Sequence, residues 1–297
     1  DFTSLTELKC NNNSLTSIDI SNNTNLTELL CYENLLTSLD VSHNPALTLL
    51  ECRVNNLTSL DLSNNLSLQI LDCQENQLTH LDISYNTALT YLHCYENQLI
   101  SLDVNNNVLL EELYFGYNYQ MLAIDISNNP NLTRISCNSN QLTSLDLSQN
   151  TNLEFLYCGN NQLEILDVSN NTALTELYCQ NNHLSILDVR NGNNINFQEF
   201  DANNNPNLLC INVDNPVYST ANWSNIDPWT SFSSNCPLYG CTDSIANNYD
   251  VNADTDDGSC IYPCTLDSVT LTLFDSYGDG WNGNSITING NNYAIAD

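Results

Sequence analysis

The cysteines constrain this chain more than any other feature. Cys10, Cys31, Cys52, Cys73 and Cys94 lie 21 residues apart, and after an interruption Cys137, Cys158 and Cys179 resume the same period. Each sits in an apolar run, as in LTELLCYENLLTSLDVSHNPA over residues 26–46. A residue type that returns at a fixed interval in fixed surroundings requires a structure that returns as well. The fold must therefore be a stack of near-identical coils.

Alignment on the cysteine gives the unit L-x-x-L-x-C-x-x-N-x-L-x-x-L-D-x-S-x-N-x-x, recurring from Leu5 to about Asn191. This is a leucine-rich repeat with cysteine at a usual leucine position. Each unit divides into two similar halves, an extended stretch followed by an Asn turn. Twenty-one residues leave little room for a full helix, so a narrow coil with extended segments on both flanks is expected. Leu29 and Cys31 alternate as strand residues do and point inward, about 4.8 Å from their counterparts in the next coil. The series Asn13, Asn34, Asn55, Asn76, Asn97, Asn118, Asn140, Asn161 and Asn182 should turn inward and satisfy backbone groups at one corner, since an amide both donates and accepts. Asn23, Asn44, Asn65, Asn86, Asn107, Asn129, Asn150 and Asn171 would serve the other corner.

Disulfide-bonded Cβ atoms face each other about 3.8 Å apart, whereas equivalent residues on stacked strands point the same way. The ladder thiols therefore read as free, buried apolar fillers. A metal or redox role is the alternative, but there is no C-x-x-C spacing and no histidine in the inward series. Phe115 and Ala202 also take the ladder position in two coils, which a ligand role would not tolerate. One extra residue within 116–125 should make the Phe115 coil bulge, and two extra within 190–200 mark the decay of the repeat.

The pattern resembles the cysteine-containing leucine-rich repeats of the internalin family. It resembles still more the Asn-rich surface repeats of secreted Bacteroidota proteins. That resemblance implies a solenoid that binds partners and does no chemistry.

With 35 Asp and Glu against four Lys and Arg, the net charge is −31. Nucleic acid and anionic membrane surfaces would repel such a chain. A cation or a basic partner would not. No apolar run approaches the roughly 18 residues of a membrane span, so membrane insertion is not expected. The chain opens inside a repeat and stops at NNYAIAD, in what reads as a strand. That is the pattern expected of an internal piece of a longer protein.

The solenoid is expected over 1–205 and a C-terminal cap over 206–238. There Leu209, Ile211 and Val213 alternate as a last strand, and Trp223, Trp229 and Phe232 cover the open core, since a terminal coil has no neighbour. Cys210 and Cys236 bracket this segment and are expected to pair, which requires an oxidising, extracytoplasmic setting. The cap also resembles the one that ends the Bacteroidota repeats. Residues 239–263 resemble a short module of secreted Bacteroidota proteins, G-C-T-D-x-x-A-x-N-Y…D-D-G-S-C. The resemblance implies a disulfide between Cys241 and Cys260, closing a loop too small for its own core. Asp243, Asp250, Asp254, Asp256 and Asp257 crowd that loop; such oxygen density suits Ca²⁺, and equally suits turns. In 264–297, Asp275 and Asp279 echo an EF-hand opening, but Ile286 stands where the bidentate Glu belongs, so that reading fails. The segment DSYGDGWNG resembles secreted β-sandwich modules, of which the first hairpin would be present, with Ca²⁺ on Asp275 and Asp279 or a plain acidic turn. Cys264 is left unpaired among the non-ladder cysteines.

Two columns differ in how far they vary between coils. Asp19, Asp40, Asp61, Asp82, Asp103, Asp125, Asp146, Asp167 and Asp188 are constant and face outward. Stacked carboxylates repel, so Asx-turns, raised pKa values or bound cations must compensate, and turn-making fits best because every coil needs the same turn. The residues flanking the ladder position vary and hold much of the tyrosine: Tyr32, Arg53, His93, Tyr95, Tyr114, Tyr157 and Tyr178 are the candidate ligand-binding residues. Tyrosine supplies apolar area and a hydroxyl at low entropic cost, although it also suits any exposed β surface. Gly116 and Gly159, beside Tyr114 and Tyr157, are expected to form sugar-sized notches. Glu51 and Asp72 fall on successive coils at a spacing that suits a retaining glycosidase, but an open strip has no cleft to exclude water, so no catalytic residues are assigned. Nor do His43, His80, His93 and His183 fall in a triad-like setting.

The composite expectation is a secreted or surface-anchored, adhesin-like module that recognises an extracellular protein or glycan. By resemblance it would be cargo of the type IX secretion system, contacting the secretion and anchoring machinery. Asp243-Ser244-Ile245 and Asp267-Ser268-Val269 resemble the Bacteroidota O-glycosylation motif, which implies O-glycan on Ser244 and Ser268. A structural spacer and a non-catalytic appendage of an exported hydrolase are the alternatives.

Overall fold

The computed structural model describes residues 3–256 and 258–262, and the backbone of 285–288 and 291–294. It divides into two compact units, Asp1–Cys236 and Pro237–Asp297.

The first unit is the solenoid. Each coil contributes a three-residue strand: β1 (Glu7–Lys9), β2 (Glu28–Leu30), β3 (Leu49–Glu51), β4 (Ile70–Asp72), β5 (Tyr91–His93), β6 (Glu112–Tyr114), β7 (Arg134–Ser136) and β8 (Phe155–Tyr157). After β9 (Ile165–Asp167) come β10 (Glu176–Tyr178), β11 (Ile186–Asp188) and β12 (Glu199–Asp201). Strands β1 to β8, β10 and β12 form one ten-stranded parallel sheet, each pairing with its neighbours in sequence. Register is one-for-one, Leu29 opposite Leu50, Leu50 opposite Leu71, Leu71 opposite Leu92. Glu112 meets Arg134, one residue beyond the 21-residue period, and Glu176 meets Glu199, two beyond. Both insertions are absorbed outside the strands. Tyr119 takes a second left-handed conformation in its coil, and a 3₁₀ turn forms at Asn194–Asn196.

The middle residue of each strand and the ladder residue that follows it point inward. Leu29, Cys31, Leu50, Cys52, Leu71 and Cys73 are fully buried, as are their equivalents to Cys179. Among the described residues, Cys31, Cys52, Cys73, Cys94, Cys137, Cys158 and Cys179 are free and buried, while Cys10 is half-buried. Burial pushes the Cys31, Cys94 and Cys158 thiols up to about 12 and the other four well above the ordinary thiol value. Without thiolate these groups are poor nucleophiles and poor metal ligands.

The first Asn series builds the corner after the strand. Asn34 Nδ2 donates to Cys31, Tyr32 and Cys10 carbonyls, and its Oδ1 accepts from Leu15 N of the preceding coil. The arrangement recurs at Asn55, Asn76 and Asn97. At Asn140, in the coil after the extra residue, Oδ1 has no partner. The residue just before each corner Asn is left-handed, including Val54 at φ 53°, a costly conformation for a β-branched side chain. The second Asn series donates across coils, as Asn44 Nδ2 does to Ile20 and Asn23 carbonyls.

The outward Asp column resolves into Asx-turns. In all nine coils a carboxylate oxygen accepts from the N–H two residues on, as Asp40 does from Ser42 at 2.9 Å. Hydrogen bonds from the adjacent Ser lower the carboxyl pKa at Asp19, Asp40, Asp61, Asp82, Asp125 and Asp146, so raised values do not apply there.

Three expectations change. The second flank is not a continuous ladder. It pairs only over β9, β11, β13 (Cys210–Asn212) and β14 (Ser231–Ser233). There Ile165 and Ile186 stand where earlier coils have Ser38, Ser59 or Ser101, and β-branched residues favour an extended, paired backbone. Trp229 is 53% exposed and Leu209 45%, so neither covers the core. Trp223 does so, stacked 4.2 Å from Phe200, tilted against Phe197 and edge-on to Phe232. It is delivered by α1 (Pro216–Asn222), which Asn215 caps by accepting from Val217 and Tyr218 N–H groups. The buried Asp227 carboxylate takes the Asn204 and Asn205 N–H groups, the place a further coil would fill. The Cys210–Cys236 disulfide is formed.

In the second unit, β15 (Tyr239–Gly240) pairs with β16 (Thr255–Asp256), and the Cys241–Cys260 disulfide closes the loop. Further on, β17 (Ser285–Ile288) and β18 (Asn291–Ala294) make an antiparallel hairpin. Asp257, Cys264, Ser268, Asp275 and Asp279 lie outside the described residues.

Candidate ligand-binding face

Side chains alternate along a strand, so the third and first residues before the ladder position, and the one after it, share the outward face. In register, these three columns form one surface across ten coils. Every sequence-predicted binding residue lies on it, and they fall into groups.

Arg53 lies 3.7 Å over the Tyr32 ring and holds Glu51 at 2.7 Å and Asp72 at 3.3 Å. Glu51 and Asp72 are register partners, as the spacing anticipates. The guanidinium nevertheless occupies both carboxylates, and burial raises the Asp72 pKa. His93 stacks on Tyr114 at 4.4 Å, with Nε2 3.8 Å from Glu112. Burial lowers the imidazole pKa against the pull of Asp72 and Glu112, leaving the ring mainly neutral near pH 7. Arg134 Nε donates to Tyr114 Oη at 3.0 Å, and its guanidinium lies 4.6 Å over Phe155. Tyr91 Oη donates to Glu112, which pushes the phenol up to about 12. Tyr95 packs on Tyr117 at 4.9 Å, and Tyr157 on Tyr178 at 5.5 Å.

Between these groups the face sinks. Gln74, Tyr95, Tyr114, Ser136 and Phe155 line a depression of about 210 Å³. Ser136 sits in register between Tyr114 and Tyr157, so one small side chain between two rings lowers the floor. The two expected glycine notches are not there. A Cβ on Gly116 would meet Asn138 Oδ1 at 2.5 Å, and one on Gly159 would meet the Gln180 amide at 2.9 Å. Neighbouring side chains fill both spaces, so glycine serves close packing at these positions.

Sequence reasoning named Tyr32, Arg53, His93, Tyr95, Tyr114, Tyr157 and Tyr178 but missed Tyr91, Glu112, Arg134 and Phe155. Strand parity was the available signal, since the third residue before the ladder position faces the same way as the first.

The acidic loop of the second unit is not gathered around a point. Asp243 accepts from Ile245 N and Tyr262 Oη, Asp250 from Asn252 N, Asp254 from Leu238 N and Thr255 Oγ1, and Asp256 from Gly258 N. Among the described residues no three acidic, His or Cys side chains converge to hold a metal ion. Among the same residues no helix is long and apolar enough to cross a membrane.

A family model described as the LVIVD repeat matches residues 10–34 and 152–179, two stretches within the solenoid. No curated protein is detectably similar to the chain. Among solved structures, the functional domain of InlJ from Listeria monocytogenes, which includes a cysteine ladder, is 36% identical with a TM-score of 0.67. The match covers 72% of this chain and 50% of that one. A leucine-rich-repeat protein of Leptospira interrogans is 25% identical over 67% of this chain and 55% of its own, with a TM-score of 0.60. An internalin, InlF of Listeria monocytogenes, shares the fold at 22% identity and a TM-score of 0.59, over 80% of this chain and 71% of that one. The chain thus spans about half the length of the first two. By period, register and ladder, this chain is an internalin-like leucine-rich-repeat solenoid with a cysteine ladder.

Proposed function

We propose that this chain is the binding module of a secreted or surface-anchored, adhesin-like protein, which recognises an extracellular protein or glycan through the aromatic face. The observation that carries this is the division of labour within each coil. Inward and turn positions are near-constant, whereas the outward columns bring Tyr, Phe, His and Arg together on one sheet. Repeat solenoids present such faces to partners. The two disulfides support an oxidising, extracytoplasmic location. Export through the type IX system is proposed on the sequence resemblance alone, as is O-glycan at Ser244, which is exposed. With its paired carboxylates bound to Arg53 and no enclosed cleft on the face, the module is read as non-catalytic.

A combined glycan and peptide array tests the reading. Saturable binding is expected, lost at least tenfold in the Tyr95→Ala, Tyr157→Ala double variant. Absence of saturable binding, or binding that survives both substitutions, would favour the structural spacer.

A further inference from the structure

The depression at Tyr95, Tyr114 and Phe155 differs chemically from the rest of the face. Its walls are three aromatic rings, from the coils of β5, β6 and β8, with Ser136 of the intervening β7 and Gln74 completing it. The chain holds only four Lys and Arg, and three of them, Lys9, Arg53 and Arg134, lie on this face. Both face arginines already sit over aromatic rings, Arg53 on Tyr32 and Arg134 on Phe155. The surface therefore shows twice, within its own sequence, what its rings accept. Carboxylates outnumber these cations in the same columns, with Glu7, Glu28, Glu51, Asp72, Glu112, Glu176, Glu199 and Asp201 against the three. Arg134 itself lies in the field of Glu112 and Glu176. Burial, more than the neighbouring Glu96 and Glu112 carboxylates, raises the phenol pKa of Tyr95 and Tyr114.

Resting on the reading of this face as a recognition surface, we infer that the depression receives a guanidinium side chain from a basic segment of the partner protein. The planar cation stacks on the ring faces, where the π quadrupole is negative, and the surrounding carboxylates steer it. A guanidinium also needs less desolvation than an ammonium of the same charge. A neutral sugar gains the apolar contact but nothing from the acid excess. An anionic ligand is repelled.

The probes are immobilised decapeptides with one central arginine in a Gly/Ser background, and counterparts with citrulline, which has nearly the same shape and no charge. The full chain is tested unchanged and as Tyr95→Ala with Tyr114→Ala, two face positions whose removal leaves the interior intact; a circular dichroism melt checks folding. The arginine peptide is expected to bind at least tenfold more tightly than citrulline, to lose that margin in the double variant, and to weaken between 50 and 500 mM salt. Equal binding of the citrulline peptide at the face would overturn the inference and leave the recognition face standing. Arginine binding that ignores both substitutions would be diffuse attraction to a −31 chain, and would overturn the inference, with the array deciding the wider reading. No binding of either peptide would overturn the inference, with the array deciding the wider reading.

Discussion

Asn97→Ala is expected to destabilise the solenoid by about 2–4 kcal/mol, far more than an amide-to-methyl change costs on a surface. Asn97 Nδ2 donates to the Cys73, Cys94 and Tyr95 carbonyls, and Oδ1 accepts from Leu78 N at 2.9 Å. The three carbonyls keep other donors, namely Asn76 Nδ2, Asn118 Nδ2 and Glu75 N. Leu78 N does not, and Leu78 is fully buried. An orphaned interior N–H costs about 1–3 kcal/mol, and the lost side-chain volume adds to it. Asn107→Ala provides the contrast. Its Nδ2 donates to the Ile83 and Asn86 carbonyls, which retain the Asn86 and Leu89 N–H groups, and its Oδ1 has no partner to abandon. A loss of about 1–2 kcal/mol is expected there. Urea unfolding followed by circular dichroism gives the ranking, and a larger effect at Asn107 would contradict the corner assignment.

Trp223→Ala is expected to cost about 3–5 kcal/mol, the range for removing a buried aromatic side chain, and to loosen one end of the rod first. Trp223 is buried against Phe200 and Phe197, which close the last coils, and Phe232 reaches it edge-on. Coils in a repeat protein depend on their neighbours, so losing the cap exposes the apolar edge of the coil beneath. Hydrogen exchange should rise at 176–213 while 50–100 keeps its protection. Trp229→Ala, at a half-exposed site, should change stability by no more than about 0.5 kcal/mol. Equal effects at the two tryptophans would mean that the cap is elsewhere.

The fold was legible because the chain samples the same environment ten times. One coil read alone is ambiguous, since LxxLxC fits several structures. Recurrence separates what the interior demands, Leu29 or Cys31, from what it tolerates, Leu30 or Tyr32. The corner amides, the Asx-turns and the two insertions follow from the same comparison. The failures occur where the answer depends on neighbours in space. Gly116 and Gly159 read as notches because Asn138 and Gln180, one coil away, could not be seen to fill them. Trp229 and Trp223 look equivalent in sequence, and only the path of α1 decides which ring meets Phe200. Val54 offers no sign of its left-handed backbone, which the corner imposes through Asn55 contacts to Cys31, Cys52 and Arg53 carbonyls. On the face, reading only the immediate neighbours of the cysteine left out one column of three, which strand parity would have completed.

Native alkylation tests the architecture most directly. The folded chain is treated with iodoacetamide at pH 8, digested and analysed by mass spectrometry, with a guanidinium-unfolded sample alongside. Cys31, Cys52, Cys73, Cys94, Cys137, Cys158 and Cys179 should stay unmodified while folded and react fully when unfolded. Cys10 should react in both, and Cys210–Cys236 and Cys241–Cys260 should appear as linked peptides. Labelling of the seven in the native state, or a disulfide joining any two of them, would contradict the stacked interior and with it the face assigned to recognition.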